Sequence, residues 1–254
     1  MIIAIANRKG GTGKTTTSVN LAAEWGRQGA RVLVIDLDTQ GHCALGLGCA
    51  HKRPANACIH TIFRHAHTEL PSLIESTPVT GVDLLAADTR FDGRGLEWGV
   101  DCLYQCLQRD HLISAYTHII IDTPPTLDAV LINALTAADG VVLPLIPHHL
   151  SEVGALQLAQ LIYKVRSSYN PRLKSIGILP IMLDARLNLH RQVLDNLIKH
   201  FGQARILRGI RSNIRLAEAF AAAQPVCYFS PRSPGAMDYH LLSKELASLW
   251  EAHF

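Results

Sequence analysis

Short runs of consecutive apolar residues recur along the chain and alternate with longer stretches of mixed character. The runs occupy 1–6, 31–36, 118–122, 140–146 and 175–183. Each is rich in isoleucine, leucine or valine, and continuous apolar runs of this length are typical of strands that are covered on both faces of a sheet. The stretches between them, such as 15–28 and 151–168, are long and amphipathic enough to form crossover helices.

Strands that alternate with helices predict an α/β fold, with a mainly parallel, doubly wound sheet and helices on both faces. No internal repeat, low-complexity tract or change in composition divides the chain, so we expect one domain over 1–254. The segment 47–72 combines proline, histidines and basic residues, and we expect it to be a surface-exposed insertion.

Composition narrows the class of protein. Hydrophobic residues make up 48% of the 254 positions and charged residues 18%, which indicates a folded globule and excludes a disordered chain. No run approaches the ~20 apolar residues of a membrane-spanning helix. The opening residues, MIIAIANRKGG, lack the positive leader and the cleavage site of a signal peptide, so we expect a cytoplasmic protein.

The cysteines and histidines are numerous, but their spacing does not favour a metal site. There are six cysteines and no C-x-x-C pair, and in a reducing cytosol we expect free thiols instead of disulfides. Cys102 and Cys106 lie four apart on a predicted helix, which leaves a metal-binding pair as the alternative. The histidines, including His60, His65 and His67, are interpreted as scattered surface residues.

The stretch NRKGGTGKTT (7–16) follows the first predicted strand and opens the first predicted helix, which is the context of a phosphate-binding loop. Its glycines let backbone N–H groups turn toward a phosphate, and the helix N-terminus adds unpaired donors and its dipole. Lys14 would neutralise phosphate oxygens, and the Thr15 hydroxyl would ligate magnesium. The nucleotide-binding residues predicted in this loop are Gly10, Gly11, Thr12, Gly13, Lys14, Thr15 and Thr16.

Acidic residues end two of the predicted strands, at the edge where ligands bind in open α/β sheets. Asp36 and Asp38 belong to VLVIDLDTQG, and Asp122 ends HIIID in the manner of a Walker B strand. We expect Asp36 and Asp122 to contribute to the nucleotide site, with Asp122 holding magnesium through a water molecule. The alternative for these acids is a helix cap at the strand-to-helix turn.

These motifs together resemble a known family. KGGTGKTT, VIDLDTQG and IIIDTPPTLDAVLINAL, followed by LDARLNL, NIRLAEA and SPRSPGA, resemble the ParA/Soj ATPases. Those proteins belong to the deviant Walker A group, which also includes MinD and the nitrogenase iron protein. The resemblance covers essentially the whole chain, and it implies the short form without an N-terminal helix-turn-helix domain.

The resemblance implies three catalytic residues. Lys9 matches the signature lysine, which reaches across an ATP sandwich dimer to the phosphates of the other subunit. Lys14 serves the nucleotide of its own subunit, and Asp38 matches the acid that orients the attacking water. The implied activity is a slow, partner-stimulated hydrolysis of ATP to ADP and phosphate, with Mg2+ as cofactor. ATP would stabilise the homodimer, and hydrolysis would loosen it.

Basic residues accumulate between 186 and 215, where seven arginines and lysines stand against Asp195 as the only acid. Such a local excess favours a polyanion partner. Arg186 and Arg215 match family positions associated with non-specific DNA binding by the ATP dimer, and Arg208 and Arg211 are further candidates. The alternative is a solvated helix face with its arginines in ion pairs.

The resemblance implies an ATPase that segregates or positions a cargo: a plasmid, a chromosome or a protein body such as a carboxysome. It would coat nucleoid DNA, and a ParB-like or cargo-adaptor protein would stimulate hydrolysis and release it. A MinD-like membrane switch is the alternative, but MDYHLLSKELASLWEAHF has Lys244 as its only lysine or arginine and is interpreted as a packed terminal helix. A metal-cluster reductase would need interface cysteines that the matching positions do not supply.

Overall fold

The described residues form one sheet of seven strands. The computed structural model describes residues 1–49, 57–65, 67–93, 99–126 and 128–250. The strands are β1 (Ile2–Ile5), β2 (Val32–Asp36), β3 (Glu75–Ser76), β4 (Val82–Leu85), β5 (His118–Asp122), β6 (Gly140–Leu145) and β7 (Ser175–Pro180). Their order is β3-β4-β2-β5-β1-β6-β7, and every neighbouring pair is parallel except β3 with β4. The predicted α/β fold with a mainly parallel sheet is confirmed.

All five apolar runs of the sequence form strands, and each strand coincides with its run or is slightly shorter. Two strands were not predicted. β3 has two residues, and β4 carries Asp83 inside VDLL, where the carboxylate accepts the hydroxyl of Tyr116 at 2.8 Å. A polar residue in a four-residue strand removes the continuous apolar signal on which the prediction depends.

Helices connect the strands, as the alternating pattern predicts. The α-helices are α1 (Lys14–Arg27), α2 (His42–Gly46), α3 (Cys102–Arg109), α4 (Leu112–Ala115), α5 (Ala129–Ala137), α6 (His149–Ser168), α7 (Asn188–Phe201), α8 (Ile214–Ala221), α9 (Val226–Phe229) and α10 (Pro234–Trp250). Short 3₁₀ helices span Ile59–Phe63, Leu70–Leu73 and Gln203–Arg205. The helices predicted over 15–28 and 151–168 are confirmed as α1 and α6, with small shifts at their ends.

Side chains of β2 alternate between two separate apolar cores. Val32 and Val34 belong to the core that α1 and α10 close, whereas Leu33 and Ile35 belong to the core that α3 and α5 close. All four are fully buried, and each such burial stabilises the fold by roughly 1.5–3 kcal/mol. Helices therefore cover both faces of the sheet, which explains why its strands lack the polar–apolar alternation of a half-exposed strand.

The expectation of a surface-exposed insertion over 47–72 is wrong for the apolar positions of its described part, while residues 50–56 and 66 lie outside the described residues. Ile59, Ile62, Phe63 and Leu70 are at most 1% exposed and join the core on the α3 side of the sheet. Three basic or histidine side chains between them, those of Arg64, His65 and His67, do face solvent. The composition of the segment reflects these outer residues and hides an apolar inner face.

The interpretation of the histidines as surface residues is wrong for His60 and His118, which are 1% and 4% exposed. His60 stacks on Phe91 with ring centroids 4.4 Å apart, and His118 stacks on Trp25 at 4.2 Å. Burial lowers the pKa of each imidazole to about 4, because the charged form loses its hydration inside the protein. Both rings are therefore neutral at neutral pH.

The cysteines are free thiols, as predicted, and all six are buried. Cys102 and Cys106 lie on α3, and the Cys102 thiol donates to the carbonyl oxygen of Ile62 at 3.6 Å. Among the described residues, one group of three possible metal ligands lies close together: Asp36, Cys43 and Asp122. Cys102 and Cys106 are not part of it, and no third possible ligand in the described ranges lies near them. These thiols pack the helix against the core.

The terminal helix α10 packs against α1, as its composition predicts. Tyr239 is buried and shares a hydrogen bond with the Thr17 hydroxyl at 3.3 Å, and the indole N–H of Trp25 donates to the carbonyl oxygen of Ser243. Glu24, also buried, contacts the ring of His240 at 3.1 Å. In the described part of the chain, no helix combines the length and apolar character that a membrane crossing requires.

The buried histidines predict how stability responds to acid. The pKa of His118 is about 4 in the folded protein and near 6.5 in the unfolded chain, so the unfolded state binds more protons and stability falls as pH drops through this window. We expect His118→Phe to remove about 2 kcal/mol of the loss in unfolding free energy between pH 7.5 and pH 5. Urea titrations of both proteins at the two pH values measure this. Parallel losses in the two proteins would contradict it.

Candidate functional site

The glycine-rich loop joins β1 to α1 and bends through two left-handed residues. Gly11 and Gly13 have φ of 71° and 68°, a region that other residues adopt only with strain. A Cβ on Gly13 would lie 2.8 Å from the Cδ1 atom of Ile181, so the loop also approaches the residue after β7 too closely for a side chain. The chain then enters the fourteen-residue helix α1, whose first N–H groups face the loop.

Polar side chains hold the loop in shape from below. The Asn7 amide donates to the carbonyl oxygen of Pro144 at 2.7 Å, and its oxygen accepts the Lys9 N–H at 3.0 Å. The Thr12 hydroxyl donates to the Lys9 carbonyl oxygen at 3.1 Å. The Lys9 side chain is exposed, as are Gly10 and Gly11. The loop thus presents its crest and the Lys9 ammonium outward.

Arg8 also points along the surface, and its guanidinium donates to the side-chain oxygen of Gln157 on α6 at 3.0 Å. This contact ties the start of the loop to α6.

Lys14, the lysine at the start of α1, is buried inside the loop. Its side chain is 6% exposed, and burial lowers the pKa of the ammonium, while the charges of Asp122 and Asp38 act in the opposite direction. The structure therefore brings Lys14 together with two of the predicted site acids, Asp38 and Asp122. A buried ammonium beside a helix N-terminus is suited to bind a phosphate group.

Asp36 and Asp122 stand side by side where β2 and β5 end. They are paired in register, and both are fully buried. Burial raises the pKa of both carboxyl groups, and the neighbouring charge of Asp122 raises that of Asp36 further. Two buried carboxyl groups with raised pKa values favour the binding of a cation at this edge of the sheet, in addition to the Lys14 ammonium.

Hydrogen bonds orient the Asp122 carboxylate. Its two oxygens accept the hydroxyls of Thr15 at 2.7 Å and Ser18 at 3.0 Å, and the Cys43 thiol approaches at 3.4 Å. Carboxylate and hydroxyl oxygens are the hard donors that Mg2+ prefers. The residues present therefore fit a magnesium ion, with Thr15 and Asp122 as the predicted holders and Asp36 beside them.

The helix-cap alternative applies to these acids only in part. Asp36 accepts the N–H groups of Asp38 at 3.1 Å and Cys43 at 3.0 Å, and the latter lies in the first turn of α2. Asp122 accepts side-chain hydroxyls instead, and α5 is capped by Asp128, whose carboxylate accepts two backbone N–H groups. Asp38 lies just beyond β2, half-buried, and accepts the Gln40 N–H in a tight turn.

A cavity of about 550 Å3 opens beside the loop, next to Gly13 and Thr16. Its remaining walls come from the last third of the chain: Ile181, Met182, Ile210, Arg211, Ser212, Asn213, Ile214, Leu216, Ala217, Phe220 and Tyr239. Largely apolar walls with a few polar groups are typical of a small-molecule site, and this position suits the base and sugar of a nucleotide. The motif NIRLAEA was quoted for the family resemblance, and Arg215 within it was predicted to bind DNA; its contribution to this cavity wall was not predicted.

One wall of the cavity is fixed by an ion pair. The Arg211 guanidinium donates to both oxygens of Asp238 on α10, with the shortest distance 2.7 Å, and the Arg211 N–H donates to the same carboxylate at 2.9 Å. The Asp238 side chain is buried. Two parallel N–H···O bonds of this kind are strong and geometrically specific. Arg211 therefore closes the cavity at its base and is already engaged by an acid.

The other arginines of the basic stretch lie at the surface. Arg186 pairs with Asp184 at 2.9 Å, and Arg215 pairs with Glu218 at 2.6 Å. These acids lie outside the stretch 186–215, so the charge excess of the sequence window overstates the local positive charge. Arg208 is exposed, and its backbone N–H donates to Glu245 at 3.0 Å. Exposed ion pairs of this kind are weak, and a phosphate can displace the acid.

The first strand of this mainly parallel sheet leads into a glycine loop, and a buried lysine lies there beside two acids on adjacent strands. Together these features define a P-loop nucleotide-binding protein. Residues 1–175 match the family described as AAA domain. The chain is 35% identical over 252 residues to the chromosome partitioning protein ParA of Caulobacter vibrioides, covering 97% of this chain and 94% of that one. It is 38% identical over 251 residues to the sporulation initiation inhibitor protein Soj of Bacillus subtilis, covering 97% and 98%. The chain belongs to the ParA/Soj family of P-loop ATPases.

Solved structures agree with the fold. Cobyrinic acid a,c-diamide synthase from Mycobacterium smegmatis, with bound ADP and magnesium, superposes with a TM-score of 0.82 at 28% identity, covering 100% of this chain and 96% of that one. Apo McdA from Cyanothece superposes with a TM-score of 0.84 at 20% identity, covering 96% and 98%, which bears on the fold alone. The predicted family resemblance is thereby confirmed.

The cavity beside the loop yields a prediction about nucleotide affinity. Ala217 lines the cavity at an exposed position, so Ala217→Trp should fill the space without disturbing the core. We expect affinity for a fluorescent ADP analogue to fall at least about ten-fold, because the base loses its enclosure. Ala221→Trp, one turn later on α8 and outside the cavity lining, should bind like the unchanged protein. Equal affinity in the two variants would rule out this cavity as the base site.

Proposed function

We propose that this protein hydrolyses ATP to ADP and phosphate and uses the ATP state to form a homodimer that binds DNA. The hydrolytic part rests on one observation: Lys14, Asp36 and Asp122 lie close together next to the glycine loop. Asp38 follows Asp36 by two residues, and its N–H donates to the Asp36 carboxylate. Membership of the ParA/Soj family supports the same activity. Hydrolysis that is slow and stimulated by a partner belongs to the proposal.

Each residue of the site has a distinct task in this proposal. The loop N–H groups and Lys14 bind the phosphates, with Gly10, Gly11, Thr12 and Gly13 shaping the cradle. Bound magnesium, held by Thr15 and through water by Asp122, would neutralise charge on the phosphate oxygens.

Asp38 would orient the attacking water, since its carboxylate is half-buried and retains an oxygen beyond the one that accepts the Gln40 N–H. Phosphoryl transfer depends mainly on such positioning and charge stabilisation.

Lys9 would act on the partner subunit. Its ammonium lies on the exposed crest of the loop, outside the buried pocket that holds Lys14. A second copy docked face to face would desolvate this charge against the phosphates bound by the first copy. ATP carries more negative charge than ADP, so the interaction would favour the dimer in the ATP state.

We expect Asp38→Ala and Lys9→Ala to separate hydrolysis from dimerisation. Asp38→Ala should bind ATP and remain dimeric while its hydrolysis falls about 100-fold, because the water loses its orientation. Lys9→Ala should bind ATP with unchanged affinity yet stay monomeric. Phosphate release and light scattering with ATP measure the two effects.

Lys14→Ala is the control, since it should lose ATP binding altogether. A Lys9→Ala variant that dimerises like the unchanged protein would refute the role of Lys9, and normal hydrolysis by Asp38→Ala would refute that of Asp38.

DNA binding is the second part of the proposal. Arg186 and Arg215 are exposed and lie in the basic stretch, and their ion-pair partners among the described residues, Asp184 and Glu218, are also accessible to solvent. Phosphate contacts from such residues carry affinity without base readout, and a dimer doubles their number. Arg208 remains a further candidate, whereas the engagement of Arg211 by Asp238 favours a role at the cavity.

We expect Arg186→Ala with Arg215→Ala to weaken DNA binding about ten-fold with ATP present and to lower the salt slope by roughly 2 per protomer. Alanine avoids new repulsion with Asp184 and Glu218, so the fold should persist. Lys164→Ala with Arg166→Ala, exposed on α6, is the control with the same change in charge. Equal weakening in the two double variants would show that net charge, and not this surface, binds DNA.

The remaining parts of the proposal concern partners and location. A ParB-like or cargo-adaptor protein would stimulate hydrolysis, and the ATP dimer would reside on the nucleoid. The cargo would be a plasmid, a chromosome or a protein body. The membrane-switch alternative is not favoured by the described residues, because α10 buries Ala236, Tyr239, Leu242, Leu246 and Trp250 in the core that it shares with α1.

A further inference from the structure

The peptide unit that joins Leu37 to Asp38 is held along both of its edges. Its N–H donates to the Asp36 carboxylate at 3.1 Å, and its carbonyl oxygen lies 3.3 Å from the Nε2 atom of His60. The preceding N–H, that of Leu37, donates to the carbonyl oxygen of Asp122 at 2.9 Å. The backbone that sets the direction of the Asp38 side chain is therefore restrained immediately before that residue.

The His60 ring is itself fixed in place and in tautomer. Its Nδ1 atom accepts the Asp88 N–H at 3.1 Å, so the ring proton resides on Nε2 and donates to the Leu37 carbonyl oxygen. Phe91 stacks on the ring at 4.4 Å, and Phe63 lies at 6.2 Å. The side chain is 1% exposed. An imidazole with both nitrogens engaged and one face stacked has no freedom to reorient.

The ring also borders the space in front of Asp38. A cavity of about 340 Å3 is lined by His60, Asp38, Phe91 and the loop after β5, including Pro124 and Pro125. This cavity lies beyond the end of β2, and it is distinct from the larger cavity beside Gly13. His60 thus stands between the sheet core and the segment whose orientation hydrolysis requires.

We propose that His60 is a positioning residue for Asp38, acting through the Leu37 carbonyl oxygen. This inference rests on the proposed function, in which Asp38 orients the attacking water. His60 touches neither nucleotide nor water in this scheme. Its two hydrogen bonds connect the Asp88 N–H, just beyond β4, to the peptide before Asp38. This connection keeps the Asp38 carboxylate in the same orientation when nucleotide binds and leaves.

If His60 only filled space in the core, its replacement would affect stability and leave the Asp38 segment unchanged. His118 is the matched control for such a purely structural role. Both rings are buried, neutral and stacked on an aromatic side chain. His118 begins β5, at the end of the sheet opposite the site, whereas His60 contacts the segment after β2. A phenylalanine in either position keeps an aromatic ring in the stack, and at position 60 it also removes the two hydrogen bonds of the imidazole.

The first measurement needs no nucleotide. Amide hydrogen exchange of the Asp38 N–H in the free protein should be about ten-fold faster in His60→Phe, since the peptide loses one of its two anchors. It should be unchanged in His118→Phe. Unchanged exchange in His60→Phe overturns the inference, whether or not the protein hydrolyses ATP. If His60→Phe fails to fold, His60→Gln retains a donor and an acceptor and should give a smaller increase.

The second measurement is hydrolysis with Mg2+ and ATP. In His60→Phe, kcat should fall about ten-fold with KM within about two-fold, because a misplaced orienting group costs rate but not binding. His118→Phe should keep both constants. In an Asp38→Ala background, adding His60→Phe should change the residual rate less than about two-fold.

The outcomes distinguish the positioning role of His60 from the proposed hydrolysis of ATP. A full additional loss in the Asp38→Ala background overturns the route through Asp38. No hydrolysis by the unchanged protein sinks the proposed function alone, and the exchange measurement then still decides whether His60 restrains the segment.

Discussion

Two carboxylates buried side by side, Asp36 and Asp122, are the constraint around which the site is built. Parallel pairing of β2 with β5 places them in register at the same edge, where neither is solvated. Backbone N–H groups on one side and the Thr15 and Ser18 hydroxyls on the other satisfy their oxygens, but their mutual repulsion remains. Such a pair persists because the surrounding core over-determines it, and a bound cation relieves it.

This arrangement explains why the lysine of the loop is buried and the neighbouring lysine is not. Lys14 lies under the glycine turn, close to the acids, whereas Lys9 lies on the crest. One positive charge thus belongs to the pocket, and the other is available to a surface that meets the loop from outside. The loop can separate them because left-handed turns at Gly11 and Gly13 reverse the chain between them.

The predictions from local motifs were confirmed because those motifs depend on interactions between residues that are close in the sequence. Apolar runs between helical stretches predicted five strands, and NRKGGTGKTT predicted a loop at a helix start. The failures involve residues whose surroundings come from elsewhere in the chain. The polar residues of segment 47–72 dominate its composition and predict a surface insertion, yet Ile59 and Phe63 are fully buried. The basic stretch looked unopposed because Asp184, Glu218 and Asp238 fall outside it.

The sequence by itself determined which elements exist and where their chemistry lies, since strand burial, glycine turns and carboxylates at strand ends depend on neighbours a few residues apart. Only the tertiary structure decided which polar groups engage one another. Arg211 meets Asp238 across 27 positions, and His60 meets the Leu37 carbonyl oxygen across 23. Such pairings depend on how helices and loops pack over the sheet, and packing distances are not encoded in any local pattern. The same folding made one arginine a cavity wall and one histidine an anchor of the Asp38 segment.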